Sequence, residues 1–276
     1  MKGDTDDPQN LPPGCTLERA QRLKSGQRTP IEEPLVVEKP LYFVVNKRPL
    51  LATMRTPGHD EELLTGYLAT EGIIDRLDQL GAFRHIPGPR TDTLCATLHG
   101  APQQALDSLR RVGASVSSCG VCGRQGQAAF EPRARGPLTP LRPPLERLPD
   151  FIAQMRRDQP LFELTGAIHA AALLGPSLNV DLVREDIGRH NAIDKAVGWL
   201  LKEDGGLQGP PRALISSGRA SFEVVQKAAM ANIGTVISVS AASSMAVDVA
   251  RELGMLLIGF VRRDKALIYW DPDWKS

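Results

Sequence analysis

Apolar positions in the first third of the chain fall into short extended runs. Pro34–Val45, rich in Val, Leu, Tyr and Phe, predicts a strand, Asn46-Lys47-Arg48-Pro49 a turn, and Leu50–Arg55 a second strand. Thr56-Pro57-Gly58 breaks the pattern. In Glu61–Gly72 the apolar residues Leu63, Leu64, Tyr67 and Leu68 recur at helical spacing. Thr91–Leu98 predicts a strand and Gln103–Arg111 a short helix. The second half is more regular. Strands are predicted at Asn179–Arg184, Arg212–Ser216, Thr235–Val239 and Met255–Val261, with helices at His190–Lys202, Phe222–Ala231 and Ser243–Leu253 between them. Strands alternating with helices at this spacing imply βαβ units and a parallel or mixed sheet covered on both faces.

Proline divides the chain. Residues 1–34 are polar and broken by Pro8, Pro12, Pro13, Pro30 and Pro34, which predicts a disordered tail. Six prolines between Glu131 and Pro149 forbid regular structure and predict a linker or lid. The expected organisation is a tail at 1–34, an N-terminal domain at 35–130, a linker at 131–149 and a C-terminal domain at 150–276.

Composition adds exclusions. Of the 276 residues, 42% are hydrophobic and 24% charged, so a sizeable core needs no metal or disulfide to hold it. The net charge of +1 gives no overall pull toward nucleic acid or an anionic membrane, so any anion must be held by a local site. No apolar run approaches a membrane span, and Met1-Lys2-Gly3-Asp4 opens a segment of acids and prolines unlike a signal peptide. The four cysteines lack the dense spacing of a secreted scaffold. A cytoplasmic, reducing location is expected.

Ligands of open α/β sheets sit at the carboxyl ends of strands. Three such ends are Ser216–Ser221, Ser238–Ser244 and Gly259–Lys265. The first two enter helices, whose free N–H groups suit phosphate, and the third carries cations. Neighbouring strands would bring all three ends into one crevice; the plainer reading makes the serines helix caps. No Walker or Gly-x-Gly-x-x-Gly motif is present. The cluster Arg184–Asn191 reads as a ligand site or as a cap through Asn191 or Asp186. His169, in an apolar run, reads as a bonded core residue or as a ligand contact.

The sharpest feature is Ser117-Ser118-Cys119-Gly120-Val121-Cys122-Gly123. Two thiols three positions apart can share a metal, cycle as a dithiol, or carry sulfur. A zinc site needs four ligands, and no second Cys-x-x-Cys or spaced histidine pair supplies the others. A thioredoxin-like dithiol belongs at a helix start, and the Ser and Gly-Arg flanks lack that setting. A sulfur carrier needs a reachable thiol, glycine hinges and positive potential; Gly120, Gly123 and Arg124 meet those needs in outline. All three readings stay open on the residues alone.

These segments also carry a resemblance. Met54-Arg55-Thr56-Pro57-Gly58, Thr70-Glu71-Gly72-Ile73-Ile74, Ser118–Gly123, Thr165–Ala171, Glu185–Lys195, Ser217-Gly218-Arg219 through Gln226-Lys227, Ser238–Ala241 and Gly259-Phe260 occur in the order of the formate dehydrogenase accessory sulfurtransferases, the FdhD family, which the chain resembles over about residues 34–270. The resemblance implies sulfur taken from a cysteine desulfurase and passed to the molybdenum cofactor, in its bis-guanine-dinucleotide form, before insertion into formate dehydrogenase. It implies Cys119 as the persulfide carrier, Cys122 as its partner, Phe260, Val261, Arg262, Arg263, Asp264 and Lys265 as the cofactor-binding stretch, and a homodimer. Arg219 and His169 are further candidate contacts, and no catalytic metal is expected. The implied fold is α/β: a cytidine-deaminase-like C-terminal domain, its mixed sheet covered by helices, beside a smaller α+β N-terminal part. The deaminase zinc signature is absent, because Ala170-Ala171 follows His169. Thr165-Gly166-Ala167 also departs from the Thr-Gly-Gly common in that family.

Overall fold

The computed structural model describes residues 11–100 and 130–274. The predicted helix at 103–111 and the Cys119/Cys122 segment lie outside the described residues. The N-terminal half begins with an antiparallel ribbon of β1 (Cys15–Lys24) and β2 (Gln27–Val36). The expectation of disorder up to residue 34 is therefore corrected for the described part of that segment. Ser25 and Gly26 both have positive φ (50° and 81°), the geometry of a two-residue turn that matches strand twist. That local chemistry outweighs the polar composition.

A four-stranded sheet follows, in the order β4-β3-β6-β5, built from β3 (Lys39–Val45), β4 (Arg48–Arg55), β5 (Leu80–Ile86) and β6 (Asp92–Leu98). The expected strand at 34–45 is thus two strands, parted at residues 37–38. Leu41, Phe43 and Val45 alternate into the core. Helix α1 (Asp60–Thr70) lies beneath them, buried on almost every side.

The C-terminal half is a six-stranded mixed sheet, in the order β12-β11-β10-β9-β7-β8. Its strands are β7 (His169–Leu174), β8 (Val180–Asp186), β9 (Ala213–Ser216), β10 (Thr235–Ser238), β11 (Leu256–Gly259) and β12 (Leu267–Trp270). Strands β9, β10 and β11 are parallel neighbours. Period-two alternation buries both faces. Leu173, Leu214, Val236 and Leu257 join a core with α4 (Arg189–Asp204), α5 (Phe222–Met230) and α6 (Ser244–Glu252). Ala172, Ile215, Ile237 and Ile258 meet Leu148, Phe151 and Met155 of α2 (Leu148–Arg157) on the other side. A short α3 (Pro160–Thr165) follows α2, its first N–H groups donating to the Glu185 carboxylate.

The first of these cores takes in Leu41, Phe43, Leu63 and Leu94 as well as Ile193 and Leu214, so the two halves share one apolar interior. Helices α1 and α4 cross at backbone contact. A Cβ on Gly66 would stand 1.7 Å from the Asp194 carbonyl oxygen, and one on Gly198 1.9 Å from that of Glu62. The proline-rich segment lies against both halves. Arg135 donates to the carbonyls of Met230, Ala69 and Ile74, Gln226 bonds both backbone groups of Arg133, and Thr235 donates to the Leu141 carbonyl.

Ion pairs complete the seam. Arg184 of β8 grips Glu62 of α1 with two hydrogen bonds of 2.6 and 2.9 Å. Burial alone would raise the Glu62 carboxyl, but the bonds and charges of Arg184 and His59 outweigh it and hold the group at about 2. That lies below the ordinary glutamate value, so the stabilisation is complete at neutral pH and is lost as pH falls from about 5 toward 2. Urea unfolding across that window should show a steeper loss for the wild type than for Glu62→Gln. At the helix crossing, Gly198→Ala should lower unfolding free energy by about 3 kcal/mol, because backbone is what it meets.

Candidate functional site

The strand directions decide where ligand chemistry can gather. Strand β7 is antiparallel to both β8 and β9, so the carboxyl ends of β8, β9, β10 and β11 and the start of β7 share one edge of the sheet. The neighbour condition for the three predicted strand ends is met. His169 is brought to the same edge by pairing that no local pattern announces.

The serines at this edge divide by role. Ser216 and Ser238 are buried and locked into the turns: the Ser216 hydroxyl accepts from the Gly218 N–H, and Ser238 donates to the Gly218 carbonyl at 2.6 Å while accepting from the Ser240 N–H. Ser243 accepts from the Ala246 N–H and caps α6. For these three the plainer reading holds. Ser221 precedes α5 without a side-chain cap bond, and its hydroxyl is buried without a partner among the described residues. The turn after β9 is tied to that after β10 by reciprocal backbone bonds among Ala220, Ala241 and Ser243.

Beyond β11 the chain turns tightly, with the Arg262 N–H donating to the Lys265 carbonyl at 2.8 Å. Arg262, Arg263, Asp264 and Lys265 are exposed and Val261 is buried. The Arg262 guanidinium donates to the Val239 carbonyl at 2.6 Å, which anchors the cation over the end of β10. Phe260 has φ 49°, a left-handed conformation costly for an aromatic residue, and is 39% exposed. Its N–H donates to the Ser240 carbonyl, so the strand end fixes the strained backbone and presents the ring to solvent. Arg219 is exposed on the turn after β9.

His169 lies 3.4 Å (Nδ1) from the Ser217 hydroxyl, which also accepts from the Ala170 N–H. Burial first, and then the charges of Arg189 and His190, push its imidazole below the usual histidine range, so the ring is neutral at pH 7. It offers a hydrogen bond at this edge and no countercharge. Sequence reasoning missed the groups beside it. His190 Nε2 stands 2.8 Å from Glu223 Oε2, and Arg189 Cδ lies 3.3 Å from the point a Cβ on Gly218 would take. Arg189 and His190 were signalled only as members of the Arg184–Asn191 cluster, and Glu223 only as part of the predicted helix Phe222–Ala231.

The rest of that cluster joins the halves of the molecule. Asp186, wholly buried, meets Lys195 Nζ at 2.7 Å and accepts from the N–H groups of Thr56 and Gly188. Lys195 also donates to the carbonyls of Thr56 and Glu185, and Asn191 to that of Met54. Neither Asn191 nor Asp186 is the N-cap of α4: that position is Gly188 and carries no side-chain bond.

A cleft of about 450 Å³ opens near the start of α1, lined by Arg55, His59, Asp60, His85 and Asp92 among others; of the predicted site residues that are described, none lines it. Its charges are matched: Arg55 bonds Asp60 and Asp92, and His85 lies 3.4 Å from Asp60. Among the described residues no cluster of His, Cys, Asp and Glu has the arrangement of a metal site. No described helix is long and apolar enough to cross a membrane.

Comparison with known proteins gives a consistent answer. The model of the FdhD/NarQ family matches residues 36–274. A sulfur carrier protein FdhD of Mycolicibacterium paratuberculosis is 41% identical over 273 residues, covering 92% of this chain and 96% of its own. The protein of the same name from Anaeromyxobacter dehalogenans is 39% identical, covering 94% and 93%. A crystal structure of a candidate formate dehydrogenase accessory protein from Desulfotalea psychrophila superposes with a TM-score of 0.73 at 21% identity, covering 95% of this chain and 99% of that one, and so shares the fold. By the family match and these identities, the chain belongs to the FdhD/NarQ family.

Proposed function

We propose that this protein is a sulfurtransferase that carries sulfur from a cysteine desulfurase to the molybdenum cofactor, in its bis-guanine-dinucleotide form, before that cofactor enters formate dehydrogenase. The observation that carries the reading is the C-terminal sheet edge, where an exposed, backbone-strained Phe260 stands beside the exposed cations Arg262, Arg263 and Lys265. An aromatic face suits a guanine base, and guanidinium and ammonium groups suit its phosphates. Arg219, two strands over, adds a cation to the same sheet edge, and His169 supplies a neutral hydrogen-bonding group. Val261 is buried and contributes through its backbone, and Asp264 limits the net charge of the turn. The named relatives are sulfur carriers, which supports the chemistry assigned to the thiols.

Cys119 is the carrier. Its thiolate attacks the outer sulfur of the desulfurase persulfide, a new S–S bond forms on Cys119, and the donor cysteine leaves as a thiolate. Cys122 then resolves the persulfide: its thiolate attacks Cys119 Sγ, the two residues form a disulfide, and the carried sulfur departs at the sulfide level toward the acceptor. The protein supplies the nucleotide grip and works as a homodimer in the cytoplasm.

Incubating the reduced protein with a cysteine desulfurase and cysteine, then mapping the Cys119–Cys122 peptide by mass spectrometry, tests the carrier role. The expected product is one added sulfur atom that disappears in Cys119→Ala. An unmodified thiol pair, or one holding zinc, would reject it. Separately, Arg262→Ala and Lys265→Ala should each weaken GDP binding roughly tenfold, the loss of one charge-assisted contact, with persulfide formation untouched. Unchanged GDP affinity in both would remove these residues from the site.

A further inference from the structure

The ribbon of β1 and β2 lies almost wholly ahead of the stretch matched by the family model, and no further strand pairs with it among the described residues. Each strand has ten residues, a reach of ~33 Å, and the outer half is exposed on both faces. Leu23 is 68% exposed. An isolated two-stranded ribbon is at best marginally stable in water, and its edges are templates for another strand.

The two edges are not equivalent. The Val37 N–H donates to the Gly14 carbonyl, which fixes the phase of the ladder: odd-numbered residues of β2 and even-numbered residues of β1 face inward. The outward N–H positions of β2 then include Pro30 and Pro34, which have none to offer. Prolines at these positions block that edge. Strand β1 has no proline, and its outward groups on Leu17, Arg19, Gln21 and Leu23 make no backbone bond outside the ribbon among the described residues.

We infer that the β1 edge is an interface between two copies of this chain, joined as antiparallel β1 strands about a two-fold axis at Ala20. Ladder phase and side-chain pairing select that register. Outward groups must face outward groups, so odd-numbered residues oppose odd-numbered residues and the axis passes through a residue. Centred on Arg19, the pairing sets two arginines face to face. Centred on Gln21, it pairs Glu18 with Lys24 but sets Arg19 against Leu23 and Arg22 against Ala20, and the overlap shrinks to residues 18–24. Centred on Ala20, it places Leu17 opposite the second copy's Leu23 and Glu18 opposite its Arg22, each twice by symmetry. Arg22 is free to accept that partner, since its contact within the ribbon, to Glu33 at 3.6 Å, is long and solvent-exposed. The result is a continuous four-stranded sheet, β2-β1-β1-β2, with a proline-bearing strand at each rim. This inference stands on the ribbon alone and does not depend on the sulfur chemistry.

The test uses the full chain. Sedimentation velocity should show a wild-type dimer. Gln21→Pro removes one outward N–H where the facing strand already carries Pro30, so it should shift the protein to monomer with its circular dichroism preserved. Glu18→Arg should dissociate the dimer by setting arginines against each other, and Glu18→Arg with Arg22→Glu should restore it. Ala20→Cys adds a readout of register. The two residues at the axis form a non-hydrogen-bonded pair with Cα atoms ~4.5 Å apart, within disulfide reach. Oxidation of the Ala20→Cys protein with copper phenanthroline, which takes up the two electrons, should give two copies of the same peptide joined by a disulfide through the substituted position, and Arg19→Cys should not cross-link. A monomeric wild type would overturn the proposal. So would a dimer unmoved by Gln21→Pro and by Glu18→Arg, or an Ala20→Cys protein that stays uncross-linked.

Discussion

The buried pair of Lys195 and Asp186 is the constraint on which the rest of this structure depends. Asp186 ends β8, Lys195 lies within the second turn of α4, and Thr56 follows β4 of the other half. One ammonium and one carboxylate, both nearly free of solvent, thereby bind the N-terminal sheet, the C-terminal sheet and the helix between them. Each charge is matched and hydrogen-bonded, the condition under which an ion pair can be buried at all. Breaking it by removing one partner typically costs about 3–5 kcal/mol, a large part of a domain's stability. A second pair, Asp194 with Lys227, repeats the logic from the adjacent residue of α4 and adds the Thr70 hydroxyl of α1. Between the pairs and the Gly66–Gly198 crossing there is little freedom for the halves to slide.

That rigidity matters for the edge where function is proposed. The turns after β9, β10 and β11 are bonded to one another through Gly218, Ser238, Ser240 and Ala241. A base and its phosphates spread over several ångströms would need groups from more than one of these turns. Groups on separate strands keep their spacing only if the sheet beneath holds its register. The strained backbone at Phe260 fits this economy: it is held by a bond to the neighbouring turn, where local preference alone would release it.

Much of the C-terminal half was legible in the sequence. Its strands are short apolar runs and its helices are set off by Ser and Gly, so period and punctuation agree. Strand β7 was missed because His169-Ala170-Ala171-Ala172 carries no β-branched residue; burial on both faces makes it a strand. The ribbon was missed because Arg, Glu and Gln mask its alternation, although Ser25-Gly26 held the turn signal. At the site, the three strand ends could be named in advance, since they follow from order along the chain. The approach of His169 to Ser217 and of His190 to Glu223 could not, because each depends on pairing between distant segments. Serines that looked alike in sequence separated into turn locks, a cap and a hydroxyl with no partner among the described residues once the turns were seen.

The central claim is that the carboxyl edge of β9, β10 and β11 receives a guanine nucleotide. A crystal structure of the protein with GDP tests it most directly. The account predicts the guanine ring against Phe260 and the phosphates within hydrogen-bond reach of Arg262, Arg263 or Lys265. Nucleotide seated instead in the cleft at the start of α1, with the strand-end groups still facing solvent, would contradict it.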